Sequence, residues 1–89
     1  MVVQVLKRDG RSQKFNIDKI KLTLEKVSDE VLKPLTASDI KALLRSIEKS
    51  VKACNIDEIE SSQILRIVVA ELLEYGFYDI AKAYLQNKA

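Results

Sequence analysis

Eighty-nine residues, 47% of them apolar, are enough for one small domain and leave no room for a second. A single cysteine and the absence of histidine exclude an internal disulfide and a His/Cys zinc site, so Cys54 is expected to be a half-buried structural thiol. The net charge of +2 conceals a polarised chain: residues 1–21 carry Lys7, Arg8, Arg11, Lys14, Lys19 and Lys21 against Asp9 and Asp18, a local +4, whereas the remainder sums to −2. Such a field draws in anions.

The first element is read as a β-strand from Val2 to Arg8, with Val3, Val5 and Lys7 on one face. Asp9-Gly10 is a hairpin signal, and a type I′ turn with Arg8 and Arg11 at its flanks is expected, followed by a partner strand over Arg11 to Phe15. Two strands are marginal in water, so the hairpin needs a helical layer or a third strand, for which Asn55 to Glu60 is the candidate. Asn16 is a suitable N-cap for a first helix whose inward stripe is Ile20, Leu24, Val27 and Val31, bounded by Pro34. A second helix opens with Thr36-Ala37-Ser38-Asp39, a capping box with Asp in the Glu/Gln position, and buries Ile40, Leu43, Leu44, Ile47 and Val51.

Ser61 or Ser62 is expected to cap a third helix that is apolar on two sides. Ile64, Ile67, Val68 and Tyr75 form one stripe, and Leu65, Val69, Leu72 and Leu73 the other. That pattern fits either a central helix or one partly buried in a partner. Gly76 stops it in the left-handed conformation, and a last helix from about Tyr78 to Lys88 turns Ile80, Ala81, Tyr84 and Leu85 inward. The expected fold is α+β: an N-terminal β-hairpin, extended to three strands if residues 55–60 pair with it, capping a small four-helix bundle. The apolar run from Ile64 to Leu73 is too short to span a membrane and is interrupted by Arg66 and Glu71, and the N-terminus has no signal-like apolar core. A cytosolic protein is expected.

Catalytic arrangements are missing by type. The chain has no Gly-x-Ser-x-Gly elbow, no His-Glu-x-x-His and only scattered carboxylates, so enzymatic activity is not expected. With two glycines it also has neither a Walker A loop nor a Gly-x-Gly-x-x-Gly turn. A phosphate site would have to use cationic side chains from the hairpin, Lys7 and Arg8, together with the helix start near Asn16 and Lys19 one turn in. Val5, Ile17, Ile20 and Ile64, at or beside the ends of these elements, are candidates for an apolar slot, although core residues look the same in sequence.

These residues fall into four segments: Val5-x-Lys7-Arg8-Asp9-Gly10, Phe15-Asn16-x-x-Lys19-Ile20, Ser61-x-x-Ile64 and Ala81-x-Ala83-Tyr84. In this register the chain closely resembles the ATP-cone domain over essentially its whole length. That family supplies the nucleotide-sensing N-terminal module of many ribonucleotide reductases and the nucleotide-binding part of a bacterial repressor of reductase genes. The resemblance implies one ATP-cone-like nucleotide-binding domain over residues 1–89. Its effector would be ATP or dATP, free or as the Mg²⁺ complex, bound between the hairpin and the helices. Lys7, Arg8 and Lys19 would meet phosphates, Gln13 and Asn16 would offer polar contacts, and Val5, Ile20 and Ile64 would wall the base. Ser61 would cap its helix and touch the nucleotide.

The resemblance further implies regulation by a change in self-association or in a partner protein connected with nucleotide reduction. Three departures stand against the family pattern: Leu65 where a polar residue is common, Lys88 as the only cation near the end of the last helix, and no accompanying catalytic domain or zinc ribbon. Two other functions fit the residues. A basic hairpin could bind nucleic acid, but Phe15 is the only aromatic near it and stacking platforms want more. The second apolar face of the third helix could instead serve a protein-interaction domain without any ligand.

Overall fold

The computed structural model describes residues 3–7, 9–54 and 57–88, with residues 87 and 88 described by backbone alone. The chain order is β1 (Gln4–Leu6), β2 (Ser12–Lys14), α1 (Ile17–Glu30), α2 (Ala37–Ala53), β3 (Glu58–Glu60), α3 (Ser61–Glu74) and α4 (Tyr78–Lys88). The third strand exists, and the fold is the α+β arrangement of a three-stranded sheet on four helices. β1 is central, antiparallel to β2 and parallel to β3, so the chain crosses over through α1 and α2 before returning to the sheet. In the register, Val5 stands opposite both Gln13 and Ile59. Val5 and Ile59 are buried, which fixes the inner face of the sheet because a one-residue slip would turn both to solvent.

The hairpin differs from the expected type I′ turn. Lys7 N–H donates to Arg11 O at 2.7 Å, and Gly10 N–H donates to Lys7 O at 3.0 Å. The loop therefore holds three residues, 8–10, and Gly10 at φ +87° supplies the left-handed position that such a loop needs for its closing bulge. Lys7 and Arg11 are the closing pair, in place of Arg8 and Arg11. Arg8 itself lies outside the described residues, as do Val2 in the first expected strand and Asn55 and Ile56 in the third.

The helix starts show how local chemistry selects an end. Asn16 Oδ1 accepts from Asp18 N–H at 2.9 Å, and Thr36 and Asp39 make both bonds of the capping box, at 3.0 and 3.2 Å. At α3 the cap is Glu60, neither Ser61 nor Ser62, and Gln63 reaches back to accept from its backbone N–H at 3.0 Å. Glu60 pairs with Leu6 in the sheet and is held extended there, so helical geometry begins at the next residue. α3 ends as expected: Gly76 has φ +84°, with Gly76 N–H donating to Leu73 O and Phe77 N–H to Leu72 O, the paired bonds of a Schellman motif.

The helices pack in a ring, with α1 and α3 each touching both α2 and α4. Leu24, Val27, Leu43, Ile47, Val51, Val68, Leu72 and Tyr84 fill the centre and are excluded from solvent almost completely. α3 thus occupies one place in the ring and is not enclosed by it. Its buried residues are Val68 and Leu72, while Ile64, Leu65, Ile67 and Val69 are half-buried and Leu73 and Tyr75 are exposed. Three other expected inward residues also shift. Leu85 is exposed on α4, which packs on α1 and α3, and Leu44 and Val31 are half-buried, Val31 as the cap that closes α1. Cys54 is exposed at the end of α2 instead of half-buried, its Sγ directed at Ser50 O 3.5 Å away. At the end of the bundle away from the sheet, Lys33 pairs with Asp79, and that bond and charge hold the Asp79 carboxyl below its ordinary pKa. No described helix is long and apolar enough to cross a membrane.

Candidate functional site

The inner edge of the sheet and the starts of α1 and α3 enclose a cavity of about 480 Å³, within the size range of small-molecule sites. Val5 and Lys7 reach it from β1 and its continuation because alternate strand residues share a face. Gln13 and Lys14 come from β2, Phe15 and Asn16 from the turn into α1, Lys19 and Ile20 from the first turn of α1, and Ser61, Ser62, Ile64 and Leu65 from the first turn of α3. Tyr84 of α4 completes the lining, together with Asp9 from the hairpin loop.

Burial divides this lining into a floor and a rim. Val5, Ile20 and Tyr84 are buried, and Phe15, Ile64 and Leu65 are half-buried, so the floor is apolar and includes two aromatic rings. Burial pushes the Tyr84 hydroxyl up to about 12, which keeps it neutral throughout the physiological range. Lys14, Asn16, Lys19 and Ser62 are exposed at the rim, with Lys7 half-exposed beside them. Three lysines therefore meet at an opening onto which the N-terminal turns of two helices also face. Helix starts carry the positive end of the backbone dipole and N–H groups without helical partners, which is anion-binding chemistry.

Eight of the described residues that the sequence nominated line this cavity: Val5, Lys7, Gln13, Asn16, Lys19, Ile20, Ser61 and Ile64. Arg8 lies outside the described residues. Ile17, one of the slot candidates, is half-buried against the core and is not in the lining. Sequence reasoning missed Asp9, Lys14, Phe15, Ser62 and Tyr84 as lining residues and took Leu65 only as a departure from a pattern. Phe15 could have been found from its place directly before the cap Asn16, which brings it to the mouth of α1. Nothing in the periodicity of α4 separates Tyr84 as a cavity floor from Tyr84 as core, since it is both. A smaller hollow of about 340 Å³, lined by Lys33, Pro34, Leu35 and 76–80, lies where α1 and α3 end.

The ATP cone domain family model matches residues 3–88. Among characterised proteins, the chain is 35% identical to the ribonucleoside-diphosphate reductase subunit alpha of Chlamydia pneumoniae, over 94% of this chain and 9% of that protein. It is 30% identical to the transcriptional repressor NrdR of Clostridioides difficile, over 97% of this chain and 57% of the repressor. Against NrdR of Exiguobacterium sibiricum the identity is also 30%, over 94% of this chain and 53% of the repressor. The matched stretch takes in both strands of the hairpin, all four helices and the cavity between them, and the chain belongs to the ATP-cone family. It spans just over half the length of these repressors and about a tenth of the reductase subunit.

Proposed function

We propose that the cavity binds ATP or dATP and that occupancy regulates either self-association or the activity of a partner protein connected with nucleotide reduction. The adenine lies in the apolar floor among Val5, Ile20, Ile64 and Tyr84. The triphosphate lies at the rim against Lys7 and Lys19, with Arg8 of the same loop as a further cation, and Gln13, Asn16 and Ser61 offer hydrogen bonds in between. The single observation that carries this reading is the convergence of hairpin lysines and two helix starts on one apolar-floored cavity. Among the described residues no group of three or more His, Cys, Asp and Glu is placed to hold a metal ion.

Regulation needs more than binding. The nucleotide must prefer one state of the module, and only that difference in affinity shifts a population. The cavity joins elements that are distant in sequence, and a ligand held by β1, α1 and α3 at once would favour one arrangement of the sheet on the bundle. The nucleic-acid reading is less favoured because Phe15, the one aromatic beside the basic hairpin among the described residues, is half-buried in the cavity lining, and stacking platforms use several exposed rings. Calorimetric titration with ATP, dATP and a short oligonucleotide, with sedimentation of the same samples, tests the proposal. Saturable binding of an adenine nucleotide with a shift in mass, or in a partner's activity, supports it. Binding of the oligonucleotide alone, with a steep salt dependence, overturns it.

A further inference from the structure

Asp9 is the only acidic side chain among the described residues that line the cavity, and a carboxylate there repels a triphosphate. Both of its oxygens are engaged by Arg11: the Arg11 backbone N–H donates to Oδ1 at 3.1 Å and Nε donates to Oδ2 at 2.6 Å. Arg11 does not line the cavity and its side chain is largely exposed. The two come together because the loop holds three residues and Gly10, at φ +87°, folds the chain back so that residue 11 returns beside residue 9. A two-residue turn would have placed these side chains differently.

We infer that Arg11 is an electrostatic positioning residue for the anion site: it neutralises Asp9 at the cavity wall, so that the lysine rim is not opposed by a bare carboxylate, and acts on the nucleotide only through Asp9. The inference rests on the nucleotide reading above. It separates two roles that the cations of the hairpin would otherwise share, since Lys7 faces the cavity directly and Arg11 does not. Because the pair is exposed, its effect is screened by salt, whereas a purely structural contribution of the loop would not be.

The experiment compares ATP affinity, by calorimetry on the full chain, for the parent, Arg11→Gln, Asp9→Asn and the double variant, each at low and at high salt. Arg11→Gln keeps a hydrogen-bond donor but loses the charge. It is expected to weaken ATP binding roughly five- to tenfold at low salt and by much less at high salt. Asp9→Asn, which removes the repelling charge, is expected to bind at least as tightly as the parent, and the double variant to bind like Asp9→Asn. Arg11→Gln binding like the parent, a salt-independent loss, or a double variant no better than Arg11→Gln would each overturn the inference while leaving the site reading intact. A parent that binds no adenine nucleotide overturns both.

Discussion

Leu32 and Gly76 occupy the same position in two copies of one motif at the same end of the bundle. Leu32 N–H donates to Asp29 O and Lys33 N–H to Ser28 O, the bonds that Gly76 and Phe77 repeat after α3. Both residues have positive φ, +57° and +84°, but only glycine adopts that region without steric cost. Leu32 is 86% exposed, so burial does not compensate the strain.

Replacing Leu32 with glycine is therefore expected to stabilise the fold by about 0.5–1 kcal/mol, the left-handed strain relieved less the extra freedom gained by the unfolded chain. Gly76→Ala is expected to destabilise it by about 1 kcal/mol, since the added Cβ meets open space and the cost is conformational. Urea midpoints of the two variants check this, and a destabilised Leu32→Gly would contradict it.

Leu72 lies fully buried where α3 meets the centre of the ring. Leu72→Ala is expected to cost about 2–5 kcal/mol, the range for a core leucine that leaves a cavity. A loss well below that range in chemical denaturation would mean that α3 packs more loosely than described.

The two shifted groups act at opposite ends of the pH scale. Tyr84 has its folded pKa raised from 10.0 to about 12, so its share of stability is complete below pH 10 and is lost as pH rises toward 12. Asp79 has its folded pKa lowered by Lys33, so its share is present above the ordinary carboxyl value and is lost as pH falls through the folded one. Thermal melts across pH are expected to show a basic limb that Tyr84→Phe flattens and a small acidic limb that Lys33→Ala flattens. An unchanged basic limb in Tyr84→Phe would contradict the burial argument.

Much of this architecture was legible because it rests on local chemistry. Asn16 and Thr36 announce their helices through a side-chain oxygen that satisfies a backbone N–H, whatever the rest of the fold does. The start of α3 was misread because two serines compete in sequence with Glu60, and only pairing of Glu60 with Leu6 across the sheet decides between them. Leu85 follows the same rule, since the exposed side of a short helix depends on which neighbours flank it. At the site, the cations were visible as a charge imbalance, whereas Phe15 and Tyr84 were not visible as floor because cavity walls and core use the same residue types. Asp9 escaped notice as a lining residue because its role in the turn already accounted for it.

The rim lysines should matter to phosphate and not to folding. Lys7→Ala and Lys19→Ala are each expected to weaken ATP binding by roughly 1.5–3 kcal/mol, about tenfold or more in Kd, the usual worth of a hydrogen bond to a charged group. Melting temperatures should stay close to the parent's, since neither lysine is buried. Calorimetry of the variants checks both halves, and undiminished ATP affinity in a variant combining Lys7→Ala and Lys19→Ala would place the phosphates elsewhere.

The most direct test of the nucleotide site is a backbone NMR titration of the chain with ATP. Saturable shifts are expected, largest at Val5, Lys7, Lys19, Ser61 and Ile64, all of which line the cavity. No saturable shift at those five, or shifts confined to residues 33–35 and 76–80 around the second hollow, would contradict the proposed site.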